Sequence, residues 1–148
     1  MLRVARRRGE LMAAASDQPG TMTSVSADLK SVKEMLASLD RDDVCIANHN
    51  APKQVVISGS FSGIEAAESK MGASSMSFKR LEVVTAFHSP VVAGSVEPFL
   101  AFLNDVDFSE SNIPVWSGEA VAPYAAESAQ KIERLSSQIA GPVRFVDL

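Results

Sequence analysis

One cysteine, one tryptophan, one tyrosine and two histidines occur in 148 residues, so several kinds of chemistry drop out before any motif is sought. Cys45 alone cannot form an internal disulfide or a multi-cysteine metal site. Within the apolar run 44–47 it reads as a small buried hydrophobe. No apolar stretch has the length of a membrane span. Positive charge is not in excess either: the net charge of −4 opposes a general nucleic-acid binder, which needs a basic face to displace counterions. No P-loop or GxGxxG is present, and Asp42-Asp43 reads as a solvated acidic turn rather than a metal site. What remains, 46% hydrophobic and 22% charged residues, predicts a soluble globular chain of one domain or two small lobes, placed in the cytoplasm.

The charge that does cluster lies at the start, where Arg3, Arg6, Arg7 and Arg8 fall within six positions. Three readings compete: a targeting peptide, a solvated helix face, or a substrate-binding arginine on a helix. A secretory signal needs a longer apolar stretch than 11–15, and an organellar transit peptide would be poor in acidic residues, whereas Glu10 is present.

Along the chain, residues 2–15 are rich in helix formers, and Asp17, Pro19 and Gly20 break the run. Residues 21–25 predict a strand. Leu29, Val32, Met35, Leu36 and Leu39 have helical spacing, with Ser26 or Asp28 as the cap. Residues 44–47 and 54–57 predict two strands separated by the turn-rich segment 48–52. Ser62 and Glu65 have the spacing of a capping box before a helix carrying Ile64, Ala67 and Met71, with Gly72 as its stop. Met76 and Phe78 alternate with polar residues, and 81–84 extends that strand. The order β-α-β-β-α-β over 21–84 is that of a ferredoxin-like α+β unit, two helices covering one face of an antiparallel sheet. Beyond it come a helix with a kink or a restart at Pro98, a strand over 113–116, and a helix over 128–139 burying Ile132, Leu135 and Ile139. These last pieces have apolar faces that need a sheet the chain does not supply.

The two histidines are weighed separately. His49 falls in the predicted turn 48–52, where a structural or exposed role is the ordinary reading. His88 ends a strand-like run and precedes Ser89-Pro90, which opens a helix. It either faces a cleft at the sheet edge or serves as a cap or core histidine bonded to backbone. A nucleophile for it is missing. In Gly59-Ser60-Phe61-Ser62-Gly63 neither serine occupies the middle of a G-x-S-x-G elbow, and Cys45 in mid-strand is poorly placed as a thiolate.

Four segments in order resemble the acyltransferase family, which includes malonyl-CoA transacylases and the acyltransferase domains of polyketide and polyunsaturated fatty acid synthases. They are Arg8-Gly9-Glu10-Leu11-Met12, the stretch 46–59, Ala86-Phe87-His88-Ser89-Pro90, and Gln138 with Pro142-Val143-Arg144-Phe145. The resemblance implies a ferredoxin-like small subdomain inserted in an α/β-hydrolase-like large subdomain, here incomplete. Its divisions are 1–20, 21–84 and 85–148.

It also implies roles. Arg8 matches the arginine that grips the free carboxylate of a malonyl group, for which a planar guanidinium is suited. His88 matches the general base, and Gln138 the position whose backbone carbonyl orients that imidazole. Phe87 matches malonyl-type rather than methylmalonyl-type sequences. The implied substrates are malonyl-CoA and the phosphopantetheine thiol of an acyl carrier protein, with no cofactor and no metal. The implied partners are that carrier protein, acyl-CoA and adjacent synthase domains such as a ketosynthase, without nucleic acid or membrane. In the family the nucleophilic serine, in Gly-His-Ser-x-Gly, lies upstream of the arginine helix. The chain is thus expected to be a C-terminal part of such a domain, inactive alone. The rival expectation is a non-catalytic ferredoxin-like module that binds a small carboxylate or a protein.

Overall fold

In the computed structural model, residues 2–14, 19–83, 85–109 and 111–148 are described. Ala15, Asp17 and Val84, named above in the first helix, its break and the fourth strand, lie outside them.

Helix α1 (Leu2–Ala14) turns Val4, Leu11 and Met12 toward the interior. Arg8, one turn from Val4 and from Met12, lies on that same face by helical period. After it, β1 (Gly20–Val25), α2 (Leu29–Ala37), β2 (Val44–Ala51), β3 (Gln54–Ser60), α3 (Phe61–Ala73) and β4 (Phe78–Arg80) follow in the predicted order of types. The strands form one antiparallel sheet in the order β2-β3-β1-β4. Both helices pack on one face. Val25, Val44, Val55 and Ile57 of the sheet meet Val32 and Met35 of α2 and Ile64, Ala67 and Met71 of α3 in a single core. The other face carries Met22, Ala47 and Val56, covered by Leu81, Val83 and Phe87.

Several local expectations need correction. Asp28, not Ser26, caps α2, its carboxylate accepting from Ser31 N at 2.9 Å. Residues 48–51 do not form a turn: they continue β2, with register shifts at 46/48 and 49/51, and the hairpin turns at Pro52-Lys53. Cross-strand pairing with β3 outweighs the turn preference of the Asn residues. The Ser62/Glu65 capping box is not used. Because β3 runs to Ser60, the helix opens one residue later, and the Ser60 hydroxyl accepts from Gly63 N at 2.9 Å. Gly72 lies inside α3, which ends at Ala73. The fourth strand spans 78–80 only, without Met76 or residues 81–83, although Leu81 N still donates to Met22 O at 2.9 Å.

At the β2–α3 corner Arg41 grips Asp43 through two bonds of 2.7 Å, and the Ser60 hydroxyl donates to the same carboxylate. These donors, Arg41 foremost, hold the Asp43 carboxyl well below the usual range. Gly59 approaches the Asp43–Val44 backbone so closely that a Cβ would lie 2.8 Å from Val44 Cα.

The remaining elements are a 3-10 helix (Pro90–Ser95), α4 (Val96–Asn104), β5 (Trp116–Ser117), β6 (Ala122–Pro123), α5 (Ser128–Ser137) and a 3-10 turn (Phe145–Asp147). Pro98 does not kink a helix. The restart comes at Val96, which puts Pro98 in the first turn of α4, where no backbone donor is needed. The strand expected over 113–116 shrinks to Trp116–Ser117, with Ile113, Val115 and Trp116 all exposed. Pro114 interrupts the donors there, and among the described residues only β6 pairs with β5. Met12, Val92, Phe99, Leu103, Ile132 and Ile139 form the core shared by α1, α4 and α5. No helix among the described residues is long and apolar enough to cross a membrane.

Candidate active site

β2 is the outer strand of its sheet, and its free edge organises what lies beside it. His49 N donates to Val143 O and Val143 N to Ala47 O, each at 2.8 Å, a parallel bridge that docks the segment after α5 against β2. Two residues earlier on the same strand, Cys45 Sγ donates to the His88 carbonyl at 3.7 Å. The strand therefore holds both the histidine's backbone and the chain that approaches its ring. An edge strand covered in this way is also protected from foreign pairing.

His88 opens the turn into the 3-10 helix. Ser89 caps that helix, its hydroxyl accepting from Val91 N at 3.3 Å and donating to Ala86 O at 2.6 Å. His88 itself has φ 55°, in the left-handed region that costs a non-glycine residue about 1–2 kcal/mol. Surroundings must over-determine such a conformation, and functional sites collect them.

The imidazole faces the C-terminal end of α5. Nδ1 lies 3.2 Å from Gln138 O and 3.0 Å from Gly141 O. Both groups only accept, so Nδ1 carries the proton and the neutral ring keeps its lone pair on Nε2. The Gln138 carbonyl belongs to the C-cap of α5, where the helix dipole favours positive charge, and the Gly141 carbonyl lies three residues beyond it. The pKa of His88 lies below its ordinary 6.5 because burial disfavours the charged ring. The Gly141 carbonyl opposes that, the Arg8 charge reinforces it, and Gln138 O and Glu119 oppose it. At neutral pH the ring is thus uncharged, with Nε2 as a base.

Arg8 is half-buried, and burial also lowers its pKa, offset in part by Tyr124. Its neighbours on α1 behave differently. Arg6 and Arg7 are exposed and pair with Glu10 at 2.7 and 3.7 Å, which is the solvated helix face. Among the described residues Arg8 has no carboxylate partner. Its charge acts on His88, so the two groups share one electrostatic neighbourhood.

Phe87 is half-buried and packs against both the helical core and the second face of the sheet, joining the two. Gln138 approaches the ring through its carbonyl. Gly141, Glu119, Tyr124 and the Cys45 contact were not foreseen, and nothing local links Glu119 to a histidine 31 positions earlier. His49 is not in an exposed turn: it lies on β2 and its Nε2 is buried without a hydrogen bond. Cys45 is half-buried on β2, and burial pushes its thiol up to about 11. Among the described residues no group of three or more His, Cys, Asp or Glu could hold a metal.

Comparison with known proteins finds relatives along nearly the whole chain. The family profile "Acyl transferase domain" matches residues 1–147. The polyketide biosynthesis malonyl CoA-acyl carrier protein transacylase BaeC of Bacillus velezensis is 36% identical over 149 residues, covering 99% of this chain and 50% of that protein. The malonyl CoA-acyl carrier protein transacylase of Synechocystis sp. is 32% identical over 145 residues, covering 97% and 47%. An acyl-carrier-protein S-malonyltransferase of Burkholderia pseudomallei, solved by crystallography, superposes with a TM-score of 0.92 at 30% identity, covering 99% of this chain and 48% of that one. The chain thus spans about half the length of these relatives. With the profile matched almost from end to end, this chain belongs to the acyl transferase domain family.

Proposed function

We propose that this chain supplies the general base and the carboxylate clamp of a malonyl transferase, while the acyl-accepting serine lies on polypeptide outside these residues. The observation that carries the reading is the pair of carbonyls on His88 Nδ1, which leaves Nε2 as the proton acceptor. In the first half-reaction a serine hydroxyl attacks the thioester carbonyl of malonyl-CoA as Nε2 takes its proton. The tetrahedral adduct collapses, the CoA sulfur leaves with that proton, and a malonyl-serine ester remains. In the second, Nε2 deprotonates the phosphopantetheine thiol of a carrier protein, the thiolate attacks the ester, and the serine regains its proton. The α5 terminus performs the orienting task that an acid performs in a Ser-His-Asp triad.

Arg8 holds the distal carboxylate. A half-buried guanidinium without a carboxylate partner among the described residues suits an incoming anion, and a neutral acyl group forfeits the paired bonds. Phe87 bounds the acyl pocket against an α-methyl branch, a discrimination worth about 1–3 kcal/mol. No metal or cofactor takes part in these steps. The partners are a carrier protein, acyl-CoA and neighbouring synthase domains such as a ketosynthase. The sheet with α2 and α3 is the ferredoxin-like small subdomain, spanning 21–84. Residues 1–20 and 85–148 belong to an α/β-hydrolase-like large subdomain whose remaining half covers Ile113, Val115 and Trp116.

The test joins this chain to the rest of an acyl transferase domain and follows malonyl loading by mass spectrometry. His88→Ala should slow loading by roughly 10²–10⁴-fold, and an undiminished rate refutes the base. Arg8→Ala should erase the preference for malonyl over acetyl, and a preserved preference refutes the clamp.

A further inference from the structure

The Gly141 carbonyl, one of the two that receive the His88 Nδ1 proton, belongs to a peptide that does not stand alone. A Cβ added to Gly141 would collide with the Glu119 carboxylate, lying 2.6 Å from its Cδ and 3.2 Å from its Cγ. The side chain glycine lacks is thus replaced in space by the acid of Glu119. That acid is also held, because the Ser137 hydroxyl donates to Glu119 Oε2 at 3.1 Å.

The turn between β5 and β6 that carries Glu119 is anchored at both ends. Val121 N donates to Ser117 O at 2.9 Å, and Arg144 N to Gly118 O at 2.7 Å. The second bond ties the turn to the strip of chain that follows Gly141 and docks on β2 through Val143. Val121 has φ 53°, unfavourable for a β-branched residue and so imposed by the surrounding contacts.

We propose that Glu119 is a positioning residue for His88: from its seat against Gly141, its carboxylate fixes the carbonyl that accepts from Nδ1 and stabilises the imidazolium formed when the base takes a proton. This rests on the assignment of His88 as the base. Glu119 does not touch the ring. It acts through one peptide and through its field, against two opposing influences, burial and the Arg8 charge from α1.

The other ionisable groups around the site do not take over this task. Cys45 of β2 faces the His88 backbone and stays neutral below about 11. Glu133 and Arg134 of α5 line the same open hollow as Glu119, together with Gln130 and Ser137. Of the acids in this hollow, Glu119 is the one whose carboxylate sits against Gly141 and whose charge raises the His88 pKa. A clamp that must attract an anion and a base that must become a cation repel each other, and Glu119 offsets that conflict.

In the full chain the Cε1–H resonance of His88 is titrated by NMR. Glu119→Gln keeps the shape and removes the charge, so the His88 midpoint should fall by about half a unit. Glu119→Asp keeps the charge and should leave the midpoint near that of the parent chain. A midpoint in Glu119→Gln within about 0.1 unit of the parent, or an equal fall in both variants, overturns the proposal.

The same comparison on the acid limb of the pH–rate profile, in the joined domain, serves as a second measurement. Glu119→Gln should move that limb to lower pH and lower kcat with KM held, and an unmoved limb overturns the role. Because the titration needs no turnover, it reads the Glu119–His88 link even if His88→Ala proves fully active and the acyl-transfer reading fails.

Discussion

The sheet with its two helices, residues 20–83, and the helical part made of α1 and residues 85–148 hide apolar surface by different means. The first does so mostly within itself. One sheet face is filled by α2 and α3, the other by Leu81 and Val83 together with Phe87 of the second part, and the helices on the filled face are capped by Asp28 and Ser60, while Phe61 and Phe78 stay partly open. The second has a real core around Phe99 and Leu103, yet leaves Leu2 88% exposed, Ile113 72% and Phe145 63%, with Val115 and Trp116 beside them. A two-stranded sheet of two residues per strand cannot cover them. Closure follows largely from contacts between near neighbours in sequence for the first part, whereas the second leaves more of its large apolar side chains exposed. His88 lies at the seam, its backbone held by β2 and its ring by the end of α5.

The largest expected effect comes from the core of the second part. Phe99→Ala should cost about 3–5 kcal/mol in denaturant unfolding, with amide protection lost across 85–148 while that of 20–83 survives. Simultaneous loss in both parts would show a single cooperative unit and break the comparison. Next is the sheet's tightest contact. Gly59→Ala drives a Cβ into the Asp43–Val44 backbone and should cost roughly 1–3 kcal/mol. Gly9→Ala, which meets nothing within 4 Å on α1, should instead stabilise by about 1 kcal/mol; thermal melts of the two variants should shift in opposite directions. Removing the α2 cap by Asp28→Ala should cost about 1 kcal/mol, borne by the sheet part alone.

The smallest effect is a pH dependence at the seam. The folded pKa of His88 lies below 6.5, so the unfolded chain binds its proton first. Stability linked to this residue is therefore fully present above pH 6.5 and declines as pH falls through the folded value. Urea melts between pH 7 and 5 should show that decline, and it should be absent in His88→Gln.

Much of the fold was legible because it is local. Period-3.6 spacing in 29–39 and apolar runs flanked by turns placed α2, α3 and the strands in the right order. The failures have physical causes. Asn48-His49-Asn50 has turn chemistry, but β3 on one side and Val143 on the other hold it extended. Ser62 and Glu65 have cap spacing, but β3 ends at Ser60 and leaves that hydroxyl first in line. At the site, Arg8 could have been separated from Arg6 and Arg7 by helical period, since it shares a face with Val4 and Met12. Gly141 and Glu119 could not have been found, because their link to His88 is a matter of distance in space alone.

The amino-acid sequence by itself determined the alternation of helices and strands, the single base candidate at the turn into the 3-10 helix, and the absence of a serine elbow to partner it. Such properties depend on spacing within a few turns or on the residues present. Which nitrogen of His88 holds the proton, which arginine is half-buried with its charge acting on that ring, and which acid stands behind Gly141 were decided only by tertiary structure. Each depends on groups 22 to 80 positions apart in the chain, and the docking of the segment after α5 on β2 places two of the carbonyls beside the histidine.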